Sequence, residues 1–302
     1  MKNLKIFTFA ILSFSLLINC ASAQNKSNRK GAKTNETATG TPNKIRERKP
    51  PQFESAGKIE MLAEGTDSSV STPFVFVART PETFSQLQKL VKNLPPEKID
   101  FNKTAVVAAF AGEKNTGGYS FDIVENAGKI SVNLVAPPKD AFVTQALTTP
   151  YAVALVSIER GNSLNLDLSA NFSGAMKKYR VTSGQFGFSG GIAGSQKKFN
   201  AGGTIGVLTY AKLFTVIFNL TGKAGESGRK LNETVSGALV GEKLSFPRVE
   251  AGDFIDRPHR FLIADGIFTG EKLSLEFKSG EPDYVVSDSF EGSGKIEAIK
   301  FK

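Results

Sequence analysis

The second half of the chain consists of short apolar stretches that alternate with glycines, and this pattern is typical of β structure. From about residue 161 onward the apolar residues show no helical spacing. The glycines expected to separate the strands are Gly174, Gly184, Gly190-Gly191, Gly202-Gly203, Gly222 and Gly237. The strand candidates between them are Lys178–Val181, Ile205–Tyr210, Phe214–Leu220, Phe261–Ala264 and Leu273–Phe277. The sequence therefore predicts an antiparallel β domain over residues 170–302.

One unit of this region recurs. VSGALVGEKLSF (235–246) and ADGIFTGEKLSLEF (264–277) share the pattern Gly-x-x-x-Gly-Glu-Lys-Leu-Ser at a spacing of 29 residues, and residues 290–301 are a weaker echo. In each copy Gly-Glu-Lys is expected to form a hairpin turn, because Gly accepts positive φ and the charged pair faces water. Repeated hairpins form an antiparallel meander, which either closes into a small barrel or packs as a sandwich.

Residues 55–162 are predicted to form an α+β domain, an antiparallel sheet with one helix. Thr80 is the expected N-cap, Pro81 suits the first helical position, and apolar residues recur at helical spacing until Pro95-Pro96. Asn126-Ala127-Gly128 is a hairpin signal. Because the strands follow one another with a single helix, a parallel doubly wound sheet is disfavoured. The strands are predicted at Phe74-Val75-Phe76-Val77, Ala105–Phe110, Tyr119–Val124, Lys129–Val135 and Tyr151–Ile158.

Residues 1–23 are predicted to be a signal peptide. Lys2 and Lys5 precede the apolar run Ile6–Ile18, and Ala21-Ser22-Ala23 offers a cleavage site before Gln24. The run is shorter than the roughly 20 residues of a spanning helix, so an extracytoplasmic protein is expected.

Cys20 leaves a second interpretation open. Leu17-Ile18-Asn19-Cys20 loosely resembles a bacterial lipobox, in which the cysteine is lipidated, although Asn19 stands where a small residue is usual. No other cysteine is present, so no internal disulfide is expected under either interpretation.

The net charge of +9 is concentrated near the N-terminus. Residues 1–52 hold ten Lys and Arg against Glu36 and Glu47, which leaves about +1 for the rest of the chain. Residues 24–54 are therefore predicted to be a disordered basic linker, and no nucleic-acid partner is expected. Such a linker, or a lipid on Cys20, can contact a membrane or envelope surface.

The strongest enzymatic pattern is Gly187-Phe188-Ser189-Gly190-Gly191, which satisfies Gly-x-Ser-x-Gly. His259 lies downstream of Asp253 and Asp256, in the chain order of an α/β-hydrolase. The nucleophile elbow needs a strand before the serine and a helix immediately after it, and glycine-rich sequence follows instead. A serine hydrolase that uses Ser189 is therefore a remote alternative, and no catalytic residue is assigned.

No cofactor or metal is expected. A single histidine cannot form a zinc site without suitable partners, and His259 is read as a residue of a surface turn. The acidic residues near the C-terminus lack the alternating spacing of a calcium loop and are interpreted as a solvated turn. These residues are Glu281, Asp283, Asp288 and Glu291.

The segment from Phe74 to Ile158 resembles the C-terminal domain of the PrcB family of protease-complex subunits. The residues that carry this resemblance are Phe74-Val75-Phe76-Val77, Leu87 and Leu90, Asp100-Phe101, Val106–Phe110 with Gly112, Thr116-Gly117-Gly118-Tyr119 and Thr149-Pro150-Tyr151. The resemblance implies an exported, non-catalytic protein, often tethered to a membrane, that associates with and stabilises a secreted protease.

Two functional hypotheses follow. The first is an accessory subunit of an extracytoplasmic protease complex, with Gly117, Gly118 and Tyr119 as the partner-binding residues, because glycine pairs in strands admit another backbone closely. The alternative for these three residues is a hairpin needed only for folding. The second hypothesis is a carrier that binds a small ligand inside a C-terminal barrel.

Overall fold

The computed structural model describes residues 59–92, 94, 98–126, 128–158, 163–189, 197–224, 227–247, 250–251, 261–279 and 291–301. These residues belong to one compact unit, Pro51–Lys302. The predicted signal peptide with Cys20 and the predicted linker 24–54 lie outside the described residues, and the boundaries 55–162 and 170–302 stay a prediction.

In chain order the elements are β1 (Ile59–Gly65), β2 (Pro73–Ala78), α1 (Pro81–Gln88), β3 (Thr104–Ala111), β4 (Ser120–Asn126), β5 (Lys129–Val135), β6 (Tyr151–Ser157), β7 (Leu166–Leu168), α2 (Ala170–Ala175), β8 (Lys177–Ser189), β9 (Lys197–Tyr210), β10 (Leu213–Ala224), β11 (Ser227–Val240), β12 (Lys243–Ser245), β13 (Glu250–Ala251), β14 (Phe261–Phe268), β15 (Lys272–Ser279) and β16 (Glu291–Lys300).

The N-terminal part contains two sheets. The first is fully antiparallel in the order β1-β6-β3-β2, and the second has the order β4-β5-β7 with β7 parallel to β5. Residues 105–111 of β3 are all buried because both faces of this inner strand are covered, which explains its continuous apolar sequence. The predicted hairpin is confirmed, since Asn126 pairs with Lys129 and Gly128 has φ +78°.

Helix α1 begins as predicted but ends early. Thr80 and Thr83 form a capping box, and Pro81 is the first helical residue. The apolar spacing predicted a helix as far as Pro95, yet α1 ends at Gln88. The physical reason is tertiary: the carbonyl of Leu90 accepts hydrogen bonds from the backbone N (3.1 Å) and Oγ (3.0 Å) of Ser69. The later apolar residues Leu90, Val91 and Leu94 are still buried, but outside the helix.

Helix α2 was not expected, since no helical spacing was found beyond residue 161. It has six residues, too few to display an apolar period, and it is anchored by the fully buried Phe172. Among the described residues, no helix is long and apolar enough to cross a membrane.

The C-terminal part is an eight-stranded antiparallel barrel rather than a sandwich. Strands follow the order β12-β11-β10-β9-β8-β16-β15-β14, pairing between β12 and β14 closes the ring, and β13 pairs with β14 beside it. Both Gly-Glu-Lys turns are confirmed, with Gly241 (φ +62°) between β11 and β12 and Gly270 (φ +86°) between β14 and β15.

Several glycines expected between strands lie inside them instead. Gly184, Gly202-Gly203, Gly222 and Gly237 fall within β8 to β11, Gly174 lies in α2, and Gly190-Gly191 are outside the described residues. Gly237 shows the physical reason. It pairs with Phe214, and a Cβ there would lie 2.8 Å from Cζ of that ring, so the absent side chain makes room for an aromatic one.

The outer edge of β2, which pairs with no described strand of its own sheet, is hydrogen-bonded by side chains of the barrel. Thr215 Oγ1 donates to the carbonyl of Val75 at 2.5 Å, and the backbone N of Val77 donates to Ser236 Oγ at 2.8 Å. Thr215 and Ser236 pair across β10 and β11, and both are buried. Leu208 of β9 also packs into the core of the first sheet. The sheet and the barrel therefore share polar and apolar contacts.

Candidate protein-binding surface

Three loops meet at one end of the first sheet. The β1–β2 loop (66–72), the β3–β4 loop (112–119) and the β5–β6 loop (136–150) each join a strand of this sheet at this end, where Gly65 pairs with Tyr151 and Pro73 pairs with Ala111. The β5–β6 loop has fifteen residues between Val135 and Tyr151. Loops of that length without a helix or strand are uncommon in compact domains, and they are often functional.

The β3–β4 loop is held against the β1–β2 loop. Gly112 has φ +73°, and a Cβ at this position would lie 2.8 Å from the carbonyl carbon of Thr72. The next residue, Glu113, donates its backbone N–H to the carbonyl of Ser71 at 3.0 Å. Only glycine permits this close approach of the two backbones.

The β3–β4 loop is also bonded to the β5–β6 loop on its other side. Lys114 and Thr148 exchange two backbone hydrogen bonds of 2.8 Å, and Thr148 Oγ1 donates to the carbonyl of Thr116 at 2.9 Å. The backbone N of Gly117 donates to the carbonyl of Thr144, also at 2.9 Å. Because both backbones are hydrogen-bonded at several points, the long loop has a defined position.

The predicted partner-binding residues lie where these loops meet. Gly117 is buried, Gly118 is exposed with φ +82°, and Tyr119 is half-buried. A Cβ on Gly118 would lie 3.0 Å from both Cβ of Pro137 and Cγ1 of Val143, so this glycine lets the β5–β6 loop approach. The geometry gives the glycine pair a supporting position, and its direct contact with a partner stays a prediction.

Two exposed apolar residues of the β5–β6 loop were missed by sequence reasoning. Phe142 is fully exposed, and Leu147 is 66% exposed. They follow neither a strand nor a helix period, so periodicity could not single them out. The available signal was their setting, a long stretch bounded by Pro137-Pro138 and Pro150 that carries large apolar residues without a predicted element.

The charges at this end of the sheet balance. Asp67 in the β1–β2 loop pairs with Lys92 at 3.3 Å on the surface. The other two loops carry one acid and one lysine each, namely Glu113, Lys114, Lys139 and Asp140. Lys114 Nζ lies 5.7 Å from the ring centroid of Tyr119, within the range of a cation–π contact. The surface around Phe142 thus carries no net charge.

Ser189 has a barrel strand before it, and the residues directly after it are outside the described part of the chain. It is the last residue of β8, where it pairs with Glu291 of β16, and β8 pairs antiparallel with β9. The described residues on both sides of Ser189 are therefore barrel strands. Residues 190–196 are outside the described part of the chain, as are Asp253, Asp256 and His259.

No metal centre is found in the described part of the chain, where no three His, Cys, Asp or Glu side chains come close enough to hold an ion. Of the acidic C-terminal residues, Glu281, Asp283 and Asp288 are outside that part, and the backbone of Glu291 belongs to β16.

Packed side chains occupy the barrel interior over the residues that the structure describes. Phe186, Phe214, Phe218 and Phe277 are buried among leucines, isoleucines and valines, and the rings of Phe186 and Phe277 lie 5.1 Å apart. A surface cavity of about 460 Å³ lies on the outer wall of the barrel, beside Val240, Ile267 and the Lys243–Asp265 ion pair. The filled interior counts against the hypothesis of a carrier with a central ligand.

A family model described as PrcB C-terminal matches residues 105–157. The match begins in β3 and ends with β6, so it contains the whole of the β3–β4 and β5–β6 loops. The resemblance inferred from the sequence is confirmed for this segment, while β2 and α1, which were also expected to belong to it, precede the matched residues. Comparison with curated proteins and with solved structures gives no match.

Proposed function

We propose that this protein is an exported, non-catalytic binding protein that acts as an accessory subunit of an extracytoplasmic complex and stabilises a secreted protease. The observation that carries the proposal is the PrcB C-terminal match over 105–157, which encloses the two loops that are hydrogen-bonded to each other. A subunit that binds only the folded protease raises the apparent stability of that protease with concentration, by linkage.

The decisive experiment has two stages. Tagged full-length protein is first crosslinked in native cell envelopes, and its partners are identified after capture, with an excess of untagged protein as the competition control. The captured protease is then purified and melted with increasing amounts of the protein. We expect its melting temperature to rise with concentration. Capture that yields no protease, or a protease whose melting temperature does not change, contradicts the proposal.

The mature N-terminus tests the proposed export. A chain that begins at Gln24 indicates cleavage of a signal peptide, and a chain that begins at a lipid-modified Cys20 indicates a membrane anchor. Intact mass measurement of the native protein distinguishes the two. Native protein that retains Met1 argues against both routes of export.

The proposed absence of catalysis is tested at Ser189. A fluorophosphonate probe labels activated serine nucleophiles, and we expect no labelling of this chain. Labelling that disappears in Ser189→Ala would overturn the non-catalytic assignment and support the hydrolase alternative.

A further inference from the structure

Among the described residues, none packs over Phe142 or Leu147 so as to remove them from water. Phe142 is fully exposed and Leu147 is 66% exposed, although both are large and apolar. The residues around them, 138–142 and 144–147, are exposed as well. Large apolar side chains on one exposed loop are a common feature of protein-binding surfaces, where a few aromatic or aliphatic residues contribute most of the affinity.

The loop that carries them is fixed before any partner binds. The backbone bonds from Gly117 to Thr144 and between Lys114 and Thr148 tie both arms of the β5–β6 loop to the β3–β4 loop. A loop that is already ordered loses less conformational entropy on binding, so apolar burial is converted more fully into affinity.

The charge balance identifies the kind of partner. The β5–β6 loop has one lysine and one acid, Lys139 and Asp140, the β3–β4 loop also has one of each, and Asp67 of the β1–β2 loop is paired with Lys92. Binding to anionic lipid requires clustered basic residues, and two apolar side chains alone give weak membrane affinity. An uncharged apolar pocket on a folded protein matches this surface best.

We propose that Phe142 and Leu147 are the anchor pair that enters an uncharged apolar pocket on the partner protein. This inference rests on the proposed function and deepens it, because it assigns the contact to the β5–β6 loop. Gly117 and Gly118, which contact this loop through Thr144, Pro137 and Val143, then act as positioning residues.

The test compares Phe142→Ser and Leu147→Ser with matched controls on the outer barrel wall, Val240→Ser and Ile267→Ser. The control residues are 69% and 55% exposed, so each variant removes an exposed apolar side chain. The probe is the protease captured by the wild-type full-length chain and then purified. We expect the Kd to rise at least about tenfold for each loop variant and to change less than about twofold for the controls. All four variants should unfold at the wild-type denaturant midpoint.

Two further measurements distinguish a pocket on a partner protein from a membrane or a second copy of this chain. The wild-type Kd should change by less than about twofold between low and high salt, because no net charge is neutralised at the contact. A photocrosslinking amino acid placed at position 142 should attach to an apolar segment of the captured protease. Wild-type sedimentation with phosphatidylglycerol and phosphatidylethanolamine vesicles that is lost in Phe142→Ser would favour a membrane and overturn the inference. So would a dimer of this chain that Phe142→Ser dissociates.

Failure of the inference differs from failure of the proposed function. If the protease binds the wild type and the loop variants equally, the accessory-subunit function stands and the anchor pair is wrong. If the wild type captures no protease, the function fails, and the inference fails with it.

Discussion

Arg79 Nη1 lies 3.0 Å from Glu233 Oε1, and the two side chains are 9% and 0% exposed. The pair joins the residue after β2 to strand β11 of the barrel. The same carboxylate oxygen accepts the backbone N–H of Leu164 at 3.0 Å, so it also holds the segment between β6 and β7. Glu233 is thus a central polar contact between the two parts of the unit.

Replacing Arg79 by Met is expected to lower the free energy of unfolding by about 3–5 kcal/mol, because a buried carboxylate then loses its positively charged neighbour. Urea unfolding measures the change. Combining Arg79→Met with Glu233→Gln should recover much of the loss, since Gln is neutral and its Oε1 can still accept from Leu164. A double variant that is less stable than Arg79→Met would contradict this account.

Gly294 should be less tolerant of alanine than Gly202, although both lie in barrel strands. A Cβ on Gly294 would lie 2.2 Å from Cδ1 of Phe186, whose ring is buried against Phe277, whereas a Cβ on Gly202 meets nothing within 4 Å. We expect Gly294→Ala to cost about 1–3 kcal/mol through overpacking and Gly202→Ala to cost much less. Denaturant midpoints of the two variants, measured side by side, check this prediction. Equal midpoints would count against the aromatic packing over Gly294.

Gly118 and Gly128 form a matched pair for testing the loop contact. Their φ values are +82° and +78°, but a Cβ on Gly118 meets Pro137 and Val143 at 3.0 Å, while a Cβ on Gly128 meets nothing within 4 Å. Alanine at either position costs about 1 kcal/mol of backbone strain. Only Gly118→Ala should also displace the β5–β6 loop and speed hydrogen exchange at the Gly117 amide, which donates to Thr144. Unchanged exchange at Gly117 would show that the loops are not coupled through Gly118.

Tyr179 should make the stability of the barrel sensitive to alkaline pH. Burial disfavours the phenolate, and nearby Glu271 adds negative charge, so the pKa of Tyr179 is raised from 10.0 to about 12. The unfolded state therefore releases this proton first as the pH rises. The stabilisation is fully present below pH 10.0 and is lost as the pH approaches about 12.

The variant Tyr179→Phe isolates this effect. It removes the hydrogen bond from Tyr179 Oη to the carbonyl of Gly270 (2.7 Å) and should lower stability near neutral pH by about 1 kcal/mol. Because Phe cannot ionise, the difference in unfolding free energy between wild type and variant should shrink above pH 10.0. A difference that stays constant up to about pH 12 would argue against a buried, protonated Tyr179.

Local rules explain what the sequence predicted correctly. The N-cap at Thr80, the hairpin at Gly128 and the two Gly-Glu-Lys turns each depend on a few neighbouring residues, whose chemistry is visible in the sequence. The choice of a mainly β fold followed from the absence of helical spacing beyond residue 161.

Contacts between distant residues explain what the sequence could not provide. The residues near Leu90 in the sequence do not reveal that its carbonyl accepts a hydrogen bond from Ser69 rather than continuing the helix. The residues near Gly237 do not reveal that it pairs with Phe214 on the neighbouring strand. Closure of the ring by pairing of β12 with β14 is likewise a property of the whole barrel.

The candidate site was only partly predictable for the same reason. The glycine pair at 117–118 was recognisable as unusual backbone, and the structure places it beneath a loop. Phe142 is significant because no residue in the described ranges covers it, and exposure of a single residue in an irregular loop has no signature in the linear sequence.

The hydroxyls of Thr215 and Ser236 have a consequence for how this architecture can be divided or recombined. They occupy hydrogen-bonding groups of Val75 and Val77 that an added strand would otherwise use. A fragment produced without the barrel would present that strand edge to other molecules and would tend to aggregate through it. The first sheet therefore depends on the barrel to cover β2, and any substitute C-terminal domain would have to supply equivalent polar groups at the same two positions.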